Sequence, residues 1–202
     1  SDRGGSACRY HGVAGEGPLL KGVLMSTLKS RDNVFAGRVL DVGVEVHEMP
    51  DGRCSEFEII STPGGAAILP VLADGRVLMI RQFRPAIGDM VYEIPAGRLE
   101  AGEDPRSCAA RELIEEAGYA AGDILPLGSC WSSVGFCDER IYLFLGRTLF
   151  KVEQQLEPDE VIDLCPMSID DAMHKIGNKE ILDSKTQLAL LHYQRLCDGG
   201  DA

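Results

Sequence analysis

The sequence lacks any Cys-x-x-Cys pair, any long apolar run, any surplus of basic residues and any internal repeat. Its seven cysteines (Cys8, Cys54, Cys108, Cys130, Cys137, Cys165 and Cys197) are scattered and odd in number. This speaks against a disulfide framework in a chain long enough to bury its own core. It speaks equally against a structural zinc site, which needs closely spaced thiolate and imidazole ligands, and the four histidines are too dispersed to supply one. The cysteines are therefore expected to be reduced and mostly structural. No stretch approaches the roughly 18 apolar residues of a membrane span. The first residues, Ser1-Asp2-Arg3-Gly4-Gly5, show no basic-then-apolar order of a secretory signal. The cytoplasm is the expected compartment, with no membrane partner.

Basic residues are in deficit, with 20 Lys and Arg against 32 Asp and Glu, a formal net charge of −12. Such a surface repels a polyanion, so nucleic acid is not an expected partner. A phosphorylated small ligand would need local cations, and bound metal is the obvious device for supplying them.

Along the chain, residues 1–33 are rich in glycine and polar residues without a sustained period, and are expected to form a flexible arm before one domain over 34–198. Val39, Val42, Val44 and Val46 together with the turn Pro50-Asp51-Gly52 predict a strand pair over 38–60. Apolar runs on either side of Asp74-Gly75, at 66–72 and 77–80, carry the strongest hairpin signal. Further short strands are expected at 141–145 and 161–164. Helical spacing is present at 105–117, 168–176 and 184–196, with Leu188, Leu191 and Leu196 of the last expected to pack inward. Strands and helices follow one another without regular βαβ alternation, which predicts an α/β fold with a mixed sheet covered by helices on both faces.

The informative segment runs from Gly97 to Tyr119. Asp104 suits an N-cap, Pro105 the first helical position, and Gly118 a left-handed stop. At about 100° per residue, Ala110, Leu113, Ile114 and Ala117 share one face, while Glu112, Glu115 and Glu116 gather on the other. Three carboxylates this close repel in water, by a few tenths of a kcal/mol per pair. A hard divalent cation reverses the sign, because Mg²⁺ prefers oxygen ligands, screens phosphate charge and activates water. Arg111 lies four residues before Glu115 and is also within reach of Glu103 across the loop; either pairing would orient carboxylates.

The order Gly97, five residues, Glu103, seven residues, Arg111-Glu112-Leu113, one residue, Glu115-Glu116, one residue, Gly118-Tyr119 resembles the Nudix box in full. The flanking pieces Arg81-Gln82-Phe83-Arg84, Glu93-Ile94-Pro95-Ala96-Gly97, Ser133 to Glu139 and Ile181 to Thr186 are similar to the ADP-ribose pyrophosphatase branch of that family, over about residues 35–196. The resemblance implies an α/β/α sandwich and usually a homodimer with composite sites. It also implies Mg²⁺-dependent cleavage (Mn²⁺ a possible substitute) of ADP-ribose or a related nucleoside diphosphate sugar. Metal ligands carry over to Glu112, Glu116, Glu115 and the Ala96 carbonyl, with Arg111 and Glu115 in the catalytic group. The general base is expected in the loop after the box, at Glu157 or Glu160, with Glu160 favoured. Substrate contacts are expected from Arg84, which can reach phosphate with charge-assisted bonds; from Glu93, which would either order its loop or touch ribose; and from Glu58 and Gly135. Two positions depart from the branch. Val134 stands where proline is typical, and Phe57-Glu58 stands where Arg-Glu is frequent. Neither touches the metal chemistry, but both bear on which nucleotide sugar is recognised, and a GDP- or UDP-sugar stays open beside ADP-ribose.

Overall fold

The computed structural model describes residues 25–158 and 160–198. Most of the expected arm lies outside the described residues, but 27–33 already belong to a strand, so regular structure begins earlier than composition suggests. Within the span expected to form one domain the chain makes two compact units: residues 65–130 with 142–198, and residues 25–64 with 131–141.

The second of these units is built on β1 (Thr27–Ala36), β2 (Asp41–Glu48) and β3 (Cys54–Ser61), an antiparallel sheet in that order. The expected pair over 38–60 is β2 and β3, joined at Pro50-Asp51-Gly52, where Gly52 takes φ 81°. β1 had no sequence signal because its side chains are exposed throughout and do not alternate between a buried and a solvated face. The segment 131–141 is tied to β3: Ile60 N–H donates to Phe136 O at 2.7 Å and Asp138 N–H to Ile60 O at 3.0 Å.

The other unit contains β4 (Gly65–Pro70), β5 (Val77–Arg84), β6 (Asp89–Glu93), β7 (Ala96–Arg98), α1 (Pro105–Ala117), β8 (Tyr119–Trp131), β9 (Arg140–Lys151), β10 (Ile162–Met167), α2 (Ile169–Gly177) and α3 (Ser184–Cys197). Its sheets run β10-β5-β6 and β7-β4-β9-β8. The hairpin expected around Asp74-Gly75 is corrected here. The tight turn forms as its residues dictate, with Gly75 at φ 85° and Asp74 Oδ1 accepting from Arg76 N. Only Val71 and Val77 pair across it, however, and β4 and β5 then enter different sheets. Local turn chemistry settled the bend, and non-local partners settled the pairing.

β4 is buried along its whole length. Ala66 and Ile68 join Cys108, Ala109, Leu113 and Ala117 of α1 in the main core cluster. Ala67 and Leu69, which alternate to the other face, are equally buried, and α3 is the second helix packed on this strand. A strand covered on both faces is the α/β arrangement expected from the sequence. The packing of α3 differs from expectation: Thr186, Ala189 and Leu190 are the buried positions, whereas Leu191 is 46% exposed and Leu188 and Leu196 are half-buried. Among the described residues every cysteine is free, and no helix is long and apolar enough to cross a membrane.

α1 is fixed at both ends by its own sequence. Asp104 accepts from Arg106 N and Ser107 N, Pro105 follows at the first helical position, and Gly118 closes the helix at φ 67° while donating to Ile114 O. Asp104→Ala removes the side chain that caps this end and is expected to lower unfolding free energy by about 1 kcal/mol. Urea denaturation checks this; an unshifted midpoint would contradict the capping role.

Candidate active site

α1 lies against β4 and β7, and this docking changes which of its residues are buried. The buried positions are Cys108, Ala109, Glu112, Leu113, Glu116 and Ala117, while Ala110 and Ile114 are only partly covered. The expectation that the glutamates face away from the apolar stripe is thus corrected. Glu112 and Glu116 border it, at 7% and 2% exposure, and only Glu115 keeps substantial contact with solvent. The space for Glu112 comes from β7. A Cβ on Gly97 would stand 1.9 Å from Glu112 Oε1 and 2.2 Å from its carboxyl carbon, so the missing side chain at 97 is what seats this carboxylate.

Arg111 joins the acidic groups. Its Nε donates to Glu103 Oε1 at 3.0 Å and Nη2 to Glu103 Oε2 at 3.0 Å; Nη1 donates to Glu112 Oε1 at 2.6 Å and to Glu115 Oε2 at 2.9 Å. Nη2 also reaches Arg98 O at 3.1 Å. Both pairings considered from the sequence are therefore made at once, and the guanidinium is a planar clamp on three carboxylates. Hydrogen bonding from Arg111 holds the Glu103 carboxyl below its usual range. The Arg111 guanidinium is pushed above its own by Glu103 and the helix glutamates, so it stays charged.

Glu116 is placed differently. Its Oε2 accepts from Ala96 N–H at 2.8 Å, so the amide of Ala96 faces the helix. Burial, reinforced by Glu112 and Glu160 and opposed by the Ala96 N–H and Arg84, pushes the Glu116 carboxyl up to about 8. Burial likewise raises Glu112, with Arg111 opposing and Glu115 and Glu160 adding to the rise. Glu160 is half-buried and close enough to act on both helix glutamates. Its Oε2 accepts from Glu157 N at 2.8 Å, which closes the loop. Glu157 is exposed and contributes its backbone to that turn. Of the two general-base candidates, Glu160 is the one that shares the field of Glu112 and Glu116.

Arg84 and Glu93 form a bidentate pair, Nε to Oε1 at 2.6 Å and Nη2 to Oε2 at 2.9 Å. Glu93 is 3% exposed, and both of its oxygens are taken by Arg84 and Lys185. Burial works against its charge, yet the two cations together hold its carboxyl below the usual range. Of the two expectations for Glu93, this geometry shows it ordering its surroundings through Arg84 and Lys185. The third nitrogen of Arg84, Nη1, makes no hydrogen bond among the described residues. Glu58 lies exposed on β3 opposite Val44, and Gly135 lies exposed in the segment 131–141, both in the other compact unit.

A dense set of buried carboxylate oxygens suits a hard divalent cation. Among the described residues no three acidic, histidine or cysteine side chains yet stand as a ready coordination cluster. Arg111 takes one oxygen each of Glu112 and Glu115, and the Ala96 amide takes one of Glu116. The donor set fits such a cation by chemistry, because a carboxylate as buried as Glu116, beside two others, lacks the neutralising charge that its ionised form requires. Cys108, beside Arg111, is no rival nucleophile, since burial pushes its thiol up to about 12. Residues that sequence reasoning gave no role are Lys185, Asp183 and Thr186. Lys185 and Thr186 reach Glu93 and Ile94 across 92 positions, with Asp183 bonded to both of them, and no local pattern announces such a contact.

The family model described as NUDIX domain matches residues 62–185. An ADP-ribose pyrophosphatase of Bacillus subtilis is 36% identical over 167 residues, covering 82% of this chain and 90% of that protein. A methanol dehydrogenase activator of Bacillus methanolicus is 39% identical over 170 residues, covering 83% of this chain and 91% of that protein. The crystal structure of an ADP compounds hydrolase superposes with a TM-score of 0.79 at 18% identity, covering 89% of this chain and 97% of that one; the likeness is one of fold.

Proposed function

The chain belongs to the NUDIX family, and from that membership we propose that it is a divalent-metal-dependent pyrophosphohydrolase of ADP-ribose or a related nucleoside diphosphate sugar. The products are a nucleoside monophosphate and a sugar phosphate. The observation that carries this reading is Glu116, a carboxylate buried beside Glu112 and Glu160 on the helix of a complete box.

Glu112, Glu116 and Glu115, with the Ala96 carbonyl as backbone donor, would hold Mg²⁺, or Mn²⁺ in its place. Such a cation screens the diphosphate charge and makes water a better nucleophile at neutral pH. The protein's own groups do the rest. Arg84 presents Nη1 to the diphosphate as a charge-assisted donor. Arg111 keeps the box carboxylates in register through its clamp. Glu160 takes the proton of the attacking water, since it faces the same acidic pocket as Glu112 and Glu116. Glu58 and Gly135 are further substrate contacts and a homodimer is the assembly; both assignments rest on the likeness to the ADP-ribose pyrophosphatase branch. Cytoplasmic residence accords with the free cysteines.

The test is a substrate panel of ADP-ribose, a GDP-sugar and a UDP-sugar with Mg²⁺ in ¹⁸O-labelled water, with products weighed by mass spectrometry. Turnover of at least one member is expected, with the label identifying the phosphorus attacked. Chelation of divalent ions is expected to reduce the rate to background, and Mg²⁺ or Mn²⁺ to restore it. A folded protein that turns over no member with either metal would falsify the reading. Binding without metal dependence or cleavage would instead favour a nucleotide-sensing module.

A further inference from the structure

The Arg84–Glu93 pair has a third member from the far end of the chain. Lys185, in the first turn of α3, donates Nζ to Glu93 Oε2 and lies 3.0 Å from Asp183 Oδ2. The ammonium is almost wholly buried between these two carboxylates. The same helical turn also holds the next backbone position: Ile94 N–H donates to Thr186 Oγ1 at 3.0 Å, and that hydroxyl donates to Asp183 Oδ2 at 2.5 Å. Side chain 93 and backbone 94 are thus both fastened to α3, two residues before Ala96.

The consequence for Arg84 is electrostatic as well as geometric. A buried carboxylate must be neutralised. If Arg84 did this alone, Glu93 would cancel most of its field and draw the guanidinium inward. Lys185 takes part of that load and is itself balanced by Asp183, so the four charges sum to zero and Arg84, sharing Glu93, is braced with Nη1 directed away from the pair. We propose that Lys185 is a positioning residue for hydrolysis, acting through Glu93 to set the Arg84 guanidinium so that its Nη1 edge meets the substrate diphosphate. This deepens, and rests on, the assignment of Arg84 as the phosphate contact.

The test is a double-mutant cycle on the full chain. Lys185→Gln and Lys185→Arg are each made in the parent and in an Arg84→Gln background, and kcat and KM are measured with a nucleotide sugar that the parent hydrolyses. Lys185→Gln in the parent is expected to raise KM about tenfold with kcat within about threefold, the pattern of lost uniform binding. Lys185→Arg, which keeps the charge, is expected to recover most of that loss. In the Arg84→Gln background Lys185→Gln is expected to change KM less than about twofold, since residues acting through one another are not additive. The same KM penalty in both backgrounds, or a kcat that merely follows the folded fraction seen in thermal melts, overturns the proposal and leaves the activity standing. A parent that hydrolyses nothing overturns the activity itself and the proposal with it. If Lys185→Gln does not fold, Lys185→Met, which fills a similar volume without a charge, takes its place in the cycle and is read by the same comparison of penalties.

Discussion

Glu116→Gln is expected to lower kcat by about a thousandfold or more while leaving the fold intact, a loss of roughly 4 kcal/mol of transition-state stabilisation. The substitution is nearly isosteric, and the amide carbonyl can still accept from Ala96 N–H, so the 2.8 Å contact that joins α1 to the start of β7 survives. What it removes is the negative charge. The stability effect has the opposite direction and a defined pH window. The folded carboxyl is raised to about 8 from an ordinary 4.5, so the folded state binds the proton more tightly than the unfolded chain does. The parent therefore loses stability as pH rises from about 4.5 to 8, and carries the full cost of the buried charge above that. In metal-free buffer Glu116→Gln should be the more stable protein at pH 8 and indistinguishable from the parent near pH 4. Added Mg²⁺ should reverse the order, because it stabilises only the parent. Steady-state kinetics and urea titrations at the two pH values check both halves. Equal rates for mutant and parent would remove Glu116 from the metal site.

Gly97→Ala is the second large effect. Its Cβ would arrive 1.9 Å from Glu112 Oε1, well inside any contact distance. The backbone of β7 is held against β4, where Gly97 pairs with Ala66, so the strand cannot easily retreat. Glu112 must leave its seat and give up the 2.6 Å bond from Arg111. Displacing a catalytic group by about 1 Å costs on the order of a hundredfold in rate, and overpacking adds roughly 1–3 kcal/mol of instability. Gly102→Ala is the matched control. Gly102 adopts φ 78° with open space around a Cβ, so alanine there strains the backbone without meeting Glu112. That variant should lose stability with kcat near the parent value. If Gly97→Ala is as active as Gly102→Ala, the seating argument fails.

Much of this architecture can be read along the chain, and the exceptions share a cause. The box helix, its Asp104 cap, its Gly118 stop and its carboxylates are local features, and each is found where the residues indicate. The Asp74-Gly75 turn is also local and forms, yet the pairing it suggested does not, because β4 finds β7 and β9 while β5 finds β6 and β10. β6, β7 and most of β8 went unrecognised: β7 is three residues long, and β8 begins directly after the helix stop with mixed burial. The buried face of α1 was misjudged because hydropathy sends glutamate outward, and nothing in a heptad pattern anticipates a glycine on another strand making room for one. For the site, the identity of the acidic groups was legible. Their wiring was not: Arg111 bridging three carboxylates at once, and Glu93 shared between Arg84 and Lys185, are consequences of tertiary contact.

The fastening of β6 to α3 has a bearing on the order in which function can arise during synthesis. A nascent chain that has left the ribosome as far as β10 already holds the whole acidic helix, its start and stop, and Glu160. It does not yet hold Lys185 or Thr186, so Glu93 has Arg84 as its only cation and the residues leading to Ala96 lack their tether. On the proposed roles of Arg84 and Lys185, competence to grip a substrate would follow only with α3, and a ribosome-stalled or proteolytically clipped form ending before residue 184 would carry the acidic helix without a set hand to hold the diphosphate.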